Sequence, residues 1–243
     1  GPPPHSGLGG PPPHSGLGQT IIDNIIKPIN PNAAVRNSFT TLPTAPSYSQ
    51  IADANGMASK FDTADAEAAA AAAKKILEDA GITEPVKVRF LYGASNVRRQ
   101  QEFRLIKDIA DNAGFEVIDS GSDDWGTLLG SGTYDASLFG WQSTGTGVTE
   151  SDANYRTGGI NNYGGYSNTE VDGLFDQLQT ATDAADQANI LAQVEAKLVE
   201  DNFGVTIFQF PGVTAYSSTL SGVDPVSISP TIFWNYWTWT VSA

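Results

Sequence analysis

Chemistry in this chain falls to carboxylates, lysines, tyrosines and hydroxyls. Cysteine is absent, which removes disulfides, thiol nucleophiles, iron–sulfur clusters and cysteine-held zinc together. Histidine is confined to His5 and His14, so the remaining residues can assemble no Ser-His-Asp triad, Cys-His pair or histidine-ligated metal site. Asp123-Asp124 suggests a carboxylate pair, but consecutive helix residues do not face each other, and Asp123 fits a helix N-cap. No catalytic residue, metal or cofactor is expected. The chain offers instead groups that hold a ligand. Trp141, preceded by glycine, presents a flat amphipathic surface. Asn161, Asn162 and Tyr163 can hydrogen-bond a peptide-like backbone, although Asn-Asn before a helix is also turn chemistry. Tyr92 ends an apolar run and reads either as a cleft residue or as core packing. Arg98 and Arg99 can meet a carboxylate or stay solvated.

Charge narrows the partners. There are 13 basic against 27 acidic residues, a net charge of -14. Such a surface repels phosphate backbones and anionic headgroups, and its densest positive pair is Arg98-Arg99, so no nucleic-acid partner is expected. No apolar run approaches the roughly eighteen residues of a membrane span, and the first thirty or so residues do not read as a signal peptide. Hydrophobic residues at 40% are enough for a sizeable core.

Residues 1–9, Gly-Pro-Pro-Pro-His-Ser-Gly-Leu-Gly, recur unchanged at 10–18. Two nine-residue units cannot bury a shared core, so residues 1–18 read as a tag or linker, with a Pro-rich ligand segment as the alternative. Ile21, Ile22, Ile25 and Ile26 then recur at helical spacing until Pro28, and residues 28–60 read as a long irregular excursion.

A regular alternation follows. Asp62 or Thr63 can cap a helix through Ala80, stopped by Gly81. Val86–Tyr92 alternates as a strand, and 97–113 is helical with Phe103, Ile106 and Ile109 or Ala110 inward, stopped by Gly114. Phe115–Ile118 is a second strand, Asp123–Leu129 a short helix, and Ala136–Trp141 a third strand. Residues 142–166 lack apolar periodicity. Ser167-Asn168-Thr169-Glu170 is a capping box opening a helix with Val171, Leu174, Phe175 and Leu178 inward. Another helix spans 184–200 with Ile190, Leu191, Val194 and Leu198 stacked. Val205–Phe210 and Val213–Ser217 read as strands, and Phe233, Trp234, Tyr236, Trp237 and Trp239 close the chain. Strand, helix, strand, short helix, strand is the rhythm of an α/β layer structure.

The phrases VRFLYGASNVRRQQEFRLIKDIADNAGFEVI, YDASLFGW, NNYGGYSNTEVDGLFDQLQTATD and IFQFPGVTAYSSTLSGV resemble the extracytoplasmic solute-binding proteins of peptide and nickel ABC importers, in their dipeptide/oligopeptide class. The resemblance runs essentially from Gln19 to Ala243. It implies a periplasmic-binding-protein-like α/β lobe with a mixed sheet flanked by helices, truncated relative to a two-lobe fold. Residues 19–230 would be the C-terminal ligand-binding lobe, and 231–243 an aromatic segment returning to a first lobe. It further implies a non-catalytic role, a peptide or peptide-like small solute, an ABC permease as partner of the full-length protein, and an extracytoplasmic location for a parent whose signal peptide this chain lacks. The alternative is a truncated lobe serving as an interaction scaffold.

By the same resemblance the ligand contacts the loop after the third strand, Trp141, Gln142, Ser143 and Thr144, with Asn161, Asn162, Tyr163 and Tyr92 nearby. Peptide binders of this class place an aspartate three residues after the tryptophan to pair with the ligand α-ammonium; here that position is Thr144. Either the ligand lacks a free α-amine, or Glu150 or Asp152 supplies the anchor. Loss of a first lobe would uncover the C-terminal aromatics, so self-association through them, or docking onto the lobe itself, is expected.

Overall fold

The computed structural model describes residues 17–61, 65–143, 145, 147–226 and 232–242. His5, His14, the proposed caps Asp62 and Thr63, and Thr144 lie outside them. A parallel sheet of three strands forms one layer, in the order β2-β1-β3. β1 (Val86–Leu91) and β2 (Phe115–Asp119) pair from Val86 opposite Phe115 to Phe90 opposite Asp119, joined by α5 (Val97–Asn112). Asn96 caps α5 by accepting from the Arg99 N–H at 3.0 Å, and Gly114 ends the connection at φ +95, a left-handed conformation that suits glycine. The core between sheet and helix is Phe90, Tyr92, Phe103 and Val117.

The third strand is shorter than its apolar pattern. Only Ala136–Ser137 pairs with β1 as β3, and the ladder ends with the Leu138 N–H on the Leu91 carbonyl. β1 itself ends at Leu91, so Phe139–Trp141 has no strand to pair with. The short helix α6 covers Trp125–Leu128, with Asp124 rather than Asp123 in the capping position and its carboxylate unused as a cap.

A helical layer carries the second core. α8 (Thr169–Thr180) and α9 (Ala184–Glu200) bury Val171, Phe175, Leu178, Leu191, Val194 and Leu198. The α8 cap is Asn168, which accepts from the N–H groups of Glu170 and Val171, rather than Ser167. Residues 28–60 are less irregular than the sequence suggests: they contain α2 (Tyr48–Ala54) and α3 (Met57), which runs to Phe61. The preceding segment is tied to α9 by one buried carboxylate. Glu195 Oε1 accepts from Ser38 Oγ at 2.6 Å, the Thr40 N–H at 2.8 Å and Thr40 Oγ1 at 2.6 Å. Its Oε2 accepts from Asn55 Nδ2 at 2.7 Å.

At the start, α1 (Leu17–Ile21) continues as a π-helical turn over Ile22–Ile26. The wider turn brings Ile21, Ile22, Ile25 and Ile26 all inward, more than a 3.6-residue repeat aligns on one narrow stripe. The helix begins inside the second nonapeptide, and a side-chain carbon at Gly18 would stand 2.6 Å from the Ile207 carbonyl. α4 (Ala66–Asp79) is capped by Asp65, ends at Gly81 (φ +77), and buries none of its residues.

The strands read at 205–210 and 213–217 are not formed. Among the described residues Phe208 alone bridges, antiparallel, to Val35; extended chain becomes sheet only where a neighbour accepts its hydrogen bonds. Beyond, β4 (Leu220–Ser221) pairs antiparallel with β5 (Thr240–Val241), and a 3-10 helix spans Phe233–Thr238.

Candidate functional site

The strand order β2-β1-β3 sets where a crevice opens. The chain passes from β1 to β2 on one side, then crosses back to place β3 on the other, so the loops leaving β1 and β3 diverge at adjacent carboxyl ends. Open α/β sheets bind ligands at such a switch point. Here the two loops at that position are the β1–α5 loop, residues 92–96, and the chain after β3, residues 138–143.

Trp141 stands on the second of these loops, 38% exposed. Its indole is braced edge-on by Phe139 (centroids 4.8 Å apart) and by Tyr155 (5.7 Å). Tyr163 also meets Phe139 edge-on, at 6.2 Å. Tyr155 is a residue the sequence reading missed. It lies on α7 (Asp152–Tyr155) inside the stretch taken as patternless, is fully buried, and donates from its hydroxyl to the Phe39 carbonyl at 3.2 Å. A single aromatic surrounded by polar residues leaves no periodic signal. Through Tyr155 and Phe203 (5.3 Å), the exposed Trp141 is braced against the helical core, which limits the entropy a ligand must remove.

Gln142 is exposed and Ser143 half-buried beside Trp141; Thr144 is outside the described residues. Glu150 Oε1 accepts the Gly145 N–H at 3.2 Å, closing the loop on itself. Asp152 pairs with Arg156, Oδ1 to Nε at 2.6 Å, and accepts from Gln179. Asn162 donates to the carbonyls of Arg156 and Tyr166 and accepts the Tyr166 N–H, which is turn chemistry. Asn161 donates to Asn154 at 3.1 Å. Tyr92 points inward: its ring stacks on Phe103 at 4.6 Å, and its hydroxyl donates to Asp119 at 3.0 Å. Burial raises the Tyr92 pKa above that of free tyrosine. Of its two readings, core packing is the one the structure takes. Phe139 thus meets both Trp141 and Tyr163, with Gln142 and Ser143 next along the chain, while Asn162, Asp152 and Tyr92 are held in local bonds.

Arg98 and Arg99 are not the solvated pair that a helix start suggests. The Arg98 guanidinium reaches Glu102 at 2.9 Å and lies 4.7 Å from the Phe210 ring centre. That of Arg99 lies 4.4 Å from the Trp125 ring centre. Glu102 is only 1% exposed, and desolvation raises its pKa against the pull of Arg98. Among the described residues no cluster of His, Cys, Asp or Glu is arranged to hold a metal ion, and no helix is long and apolar enough to cross a membrane. Two surface recesses, between α4 and α5 and between α8 and α9, share no residue with these two loops.

No family model matches the chain. An uncharacterised lipoprotein of Mycobacterium tuberculosis is 32% identical over 123 residues, covering 48% of this chain and 22% of the lipoprotein. A Mycobacterium bovis lipoprotein is 31% identical over the same shares. Among solved structures, the periplasmic EDTA-binding protein EppA superimposes with a TM-score of 0.77 at 17% identity, over 93% of this chain and 43% of its own. The fold is that of a periplasmic-binding-protein-like lobe. Haemophilus influenzae OppA, in complex with the peptide RPPGFSPFR, agrees with the lobe at a TM-score of 0.66 and 21% identity, over 86% of this chain and 40% of that one. The substrate-binding domain of a Bacillus anthracis oligopeptide ABC transporter gives 0.65 and 21%, over 93% and 45%. The lobe therefore spans under half the length of these solved proteins, and about a fifth of the curated lipoproteins.

Proposed function

We propose that this lobe belongs to a solute-binding protein of the peptide/nickel ABC importer class and captures a peptide-like solute without catalysis. The observation that carries this reading is the braced, half-exposed Trp141 on the chain leaving β3, at the switch point of the sheet. The full-length protein would work outside the cytoplasm and deliver its solute to an ABC permease, in keeping with the lipoprotein relatives and the periplasmic neighbour. The engagement of Asp152 with Arg156, and of Glu150 with the Gly145 N–H, favours a solute held without a free α-amine over a displaced amine anchor.

Calorimetry of the chain with short peptides, free and N-acetylated, tests both statements. Binding should survive acetylation, and Trp141→Ala should weaken it about tenfold, the scale of losing a braced aromatic contact. Strict dependence on the free amine, lost in Glu150→Gln or Asp152→Asn, would restore the acidic anchor. Unchanged affinity in Trp141→Ala would move the site elsewhere.

A second reading rests on the C-terminal stretch. Phe233, Trp234, Tyr236 and Trp237 are all exposed, Trp237 at 69%, on a segment that closes back through β4–β5 and through bonds from Trp234, Asn235 and Thr238 to the carbonyls of Asp224 and Gly222. We infer that this face self-associates, which suits an interaction scaffold. A concentration-independent monomer by light scattering would overturn it.

A further inference from the structure

Resting on the reading that solute meets Trp141, we propose that Tyr155 is a positioning residue for that indole, and that the buried Glu195 carboxylate sets it through the segment Ser38-Phe39-Thr40. Among the described residues no hydrogen bond fixes the Trp141 indole N–H. The ring's orientation therefore rests on packing, and its aromatic neighbours are Phe139 and Tyr155. Phe139 belongs to the same stretch of chain and is itself only half-buried. Tyr155 is 1% exposed and anchored on segments remote in sequence. Its ring meets Phe203 at 5.3 Å and Phe39 at 6.0 Å, both edge-on, and its hydroxyl donates to the Phe39 carbonyl at 3.2 Å. Burial, and then the charge of Glu195, raise its pKa above that of free tyrosine, which keeps the hydroxyl a donor.

The carbonyl that receives this hydroxyl is held from two sides. Arg36 donates from Nε to the Ser38 carbonyl at 2.7 Å and from Nη2 to the Phe39 carbonyl at 3.4 Å. Glu195 collects the donors that flank Phe39: Ser38 Oγ before it, and the N–H and Oγ1 of Thr40 after it, all on one carboxylate oxygen. The other oxygen takes Asn55 Nδ2, which also donates to the Asn37 carbonyl at 2.8 Å. Charge-assisted bonds converging in a sealed site fix geometry more tightly than neutral bonds at a surface. Contact is then unbroken from α9 to the exposed indole, through Glu195, the Ser38-Phe39-Thr40 backbone, Tyr155 and Trp141. Close-packed rings transmit a displacement rather than absorb it. An indole already held at its binding angle costs less ordering when solute arrives. Glu195, which lies inside the helical core, in this way governs affinity at a site it does not touch.

The test labels the full chain with fluorotryptophan and identifies the Trp141 resonance by its loss in Trp141→Phe. Each variant is read by fluorine NMR without ligand, and by calorimetry with N-acetylated Ala-Phe-Ala. Tyr155→Phe removes the hydroxyl and keeps the ring. It should shift or broaden the Trp141 resonance, leave that of Trp125 in place, and weaken the peptide about threefold or more. In a Trp141→Ala background the same change should have no further effect on affinity, whereas a residue that merely stabilises the lobe weakens binding in both backgrounds. Thr40→Val, which takes one of three bonds from the Glu195 oxygen, should move the Trp141 resonance in the same sense by less, and decides the matter if Tyr155→Phe fails to fold. An unmoved Trp141 resonance in Tyr155→Phe, or an equal loss of affinity with and without Trp141, overturns the positioning role and leaves solute capture standing. An unmoved resonance in Thr40→Val overturns the part given to Glu195. Full affinity in Trp141→Ala alone overturns the underlying reading, and this proposal with it. Failure of the unaltered chain to bind the peptide also overturns the proposal, and capture is then judged with other peptides.

Discussion

Helices α8 and α9 and the run from 204 to 242 are both rich in apolar and aromatic side chains, yet they meet opposite fates. In the helix pair, Val171, Phe175, Val194 and Leu198 reach full burial, because two amphipathic faces close on each other and the segment 36–41 is drawn over them by Glu195. In the later run, Phe210, Val213, Tyr216, Trp234, Tyr236 and Trp237 stay exposed. Among the described residues, its extended portion before β4 has one bridge, at Phe208. A helix satisfies its backbone internally and needs cover for one stripe only. Extended chain needs a neighbour for its hydrogen bonds as well as for its side chains. Apolar composition is therefore a poor guide to burial here; what differs is whether each element can close its own backbone.

The largest expected effect breaks the clamp on the covered side. Glu195→Ala leaves the donors of Ser38, Thr40 and Asn55 in a buried site without their acceptor, and should cost about 3 kcal/mol or more. The urea midpoint would fall accordingly; a loss below about 1 kcal/mol would mean that the segment is held by its other contacts. The next comparison sets Phe175→Ala against Trp237→Ala. Burial predicts about 3–5 kcal/mol for the first and under about 0.5 kcal/mol for the second, both read from denaturant unfolding of the chain. A comparable loss in Trp237→Ala would show that the aromatic stretch is covered in solution.

The smallest effect concerns the amino end of β3. Arg89 holds Asp135 through its guanidinium and its backbone N–H, which lowers the Asp135 pKa from 3.8 to about 2. A carboxylate with a depressed folded pKa adds stability above its unfolded value and loses it as pH falls through the folded one. Asp135→Asn should therefore flatten the stability profile slightly between about pH 4 and pH 2 and leave the rest of the curve parallel. Both groups are largely exposed, so the change will be small and reduced by salt.

Much of the layer order was legible. The alternation at 86–91, the helices at 97–112, 169–180 and 184–200, and the glycine stops at 81 and 114 follow from local rules of periodicity, capping and left-handed backbone. The helices at 48–54 and 57–61 were hidden because they are short and held by long-range bonds, such as that from Asn55 to Glu195. Glu195 itself read as one more polar residue on an amphipathic helix, since nothing in its spacing shows that Ser38 and Thr40 arrive from some 155 residues away.

For the candidate site, the sequence made Trp141 the last residue of the third strand, and the structure, ending β3 at Ser137, leaves it on the chain beyond the strand. The sequence left open what Tyr92, Asn162 and Arg98-Arg99 would face. Those outcomes depend on which chain segments arrive opposite: Phe103 and Asp119 for Tyr92, Tyr166 for Asn162, Phe210 for Arg98 and Trp125 for Arg99. The type and order of the elements are written in neighbouring residues, where each backbone can satisfy itself. Which polar group is spent and which is left to bind is decided only when distant segments meet, because desolvation and pairing are properties of the packed environment.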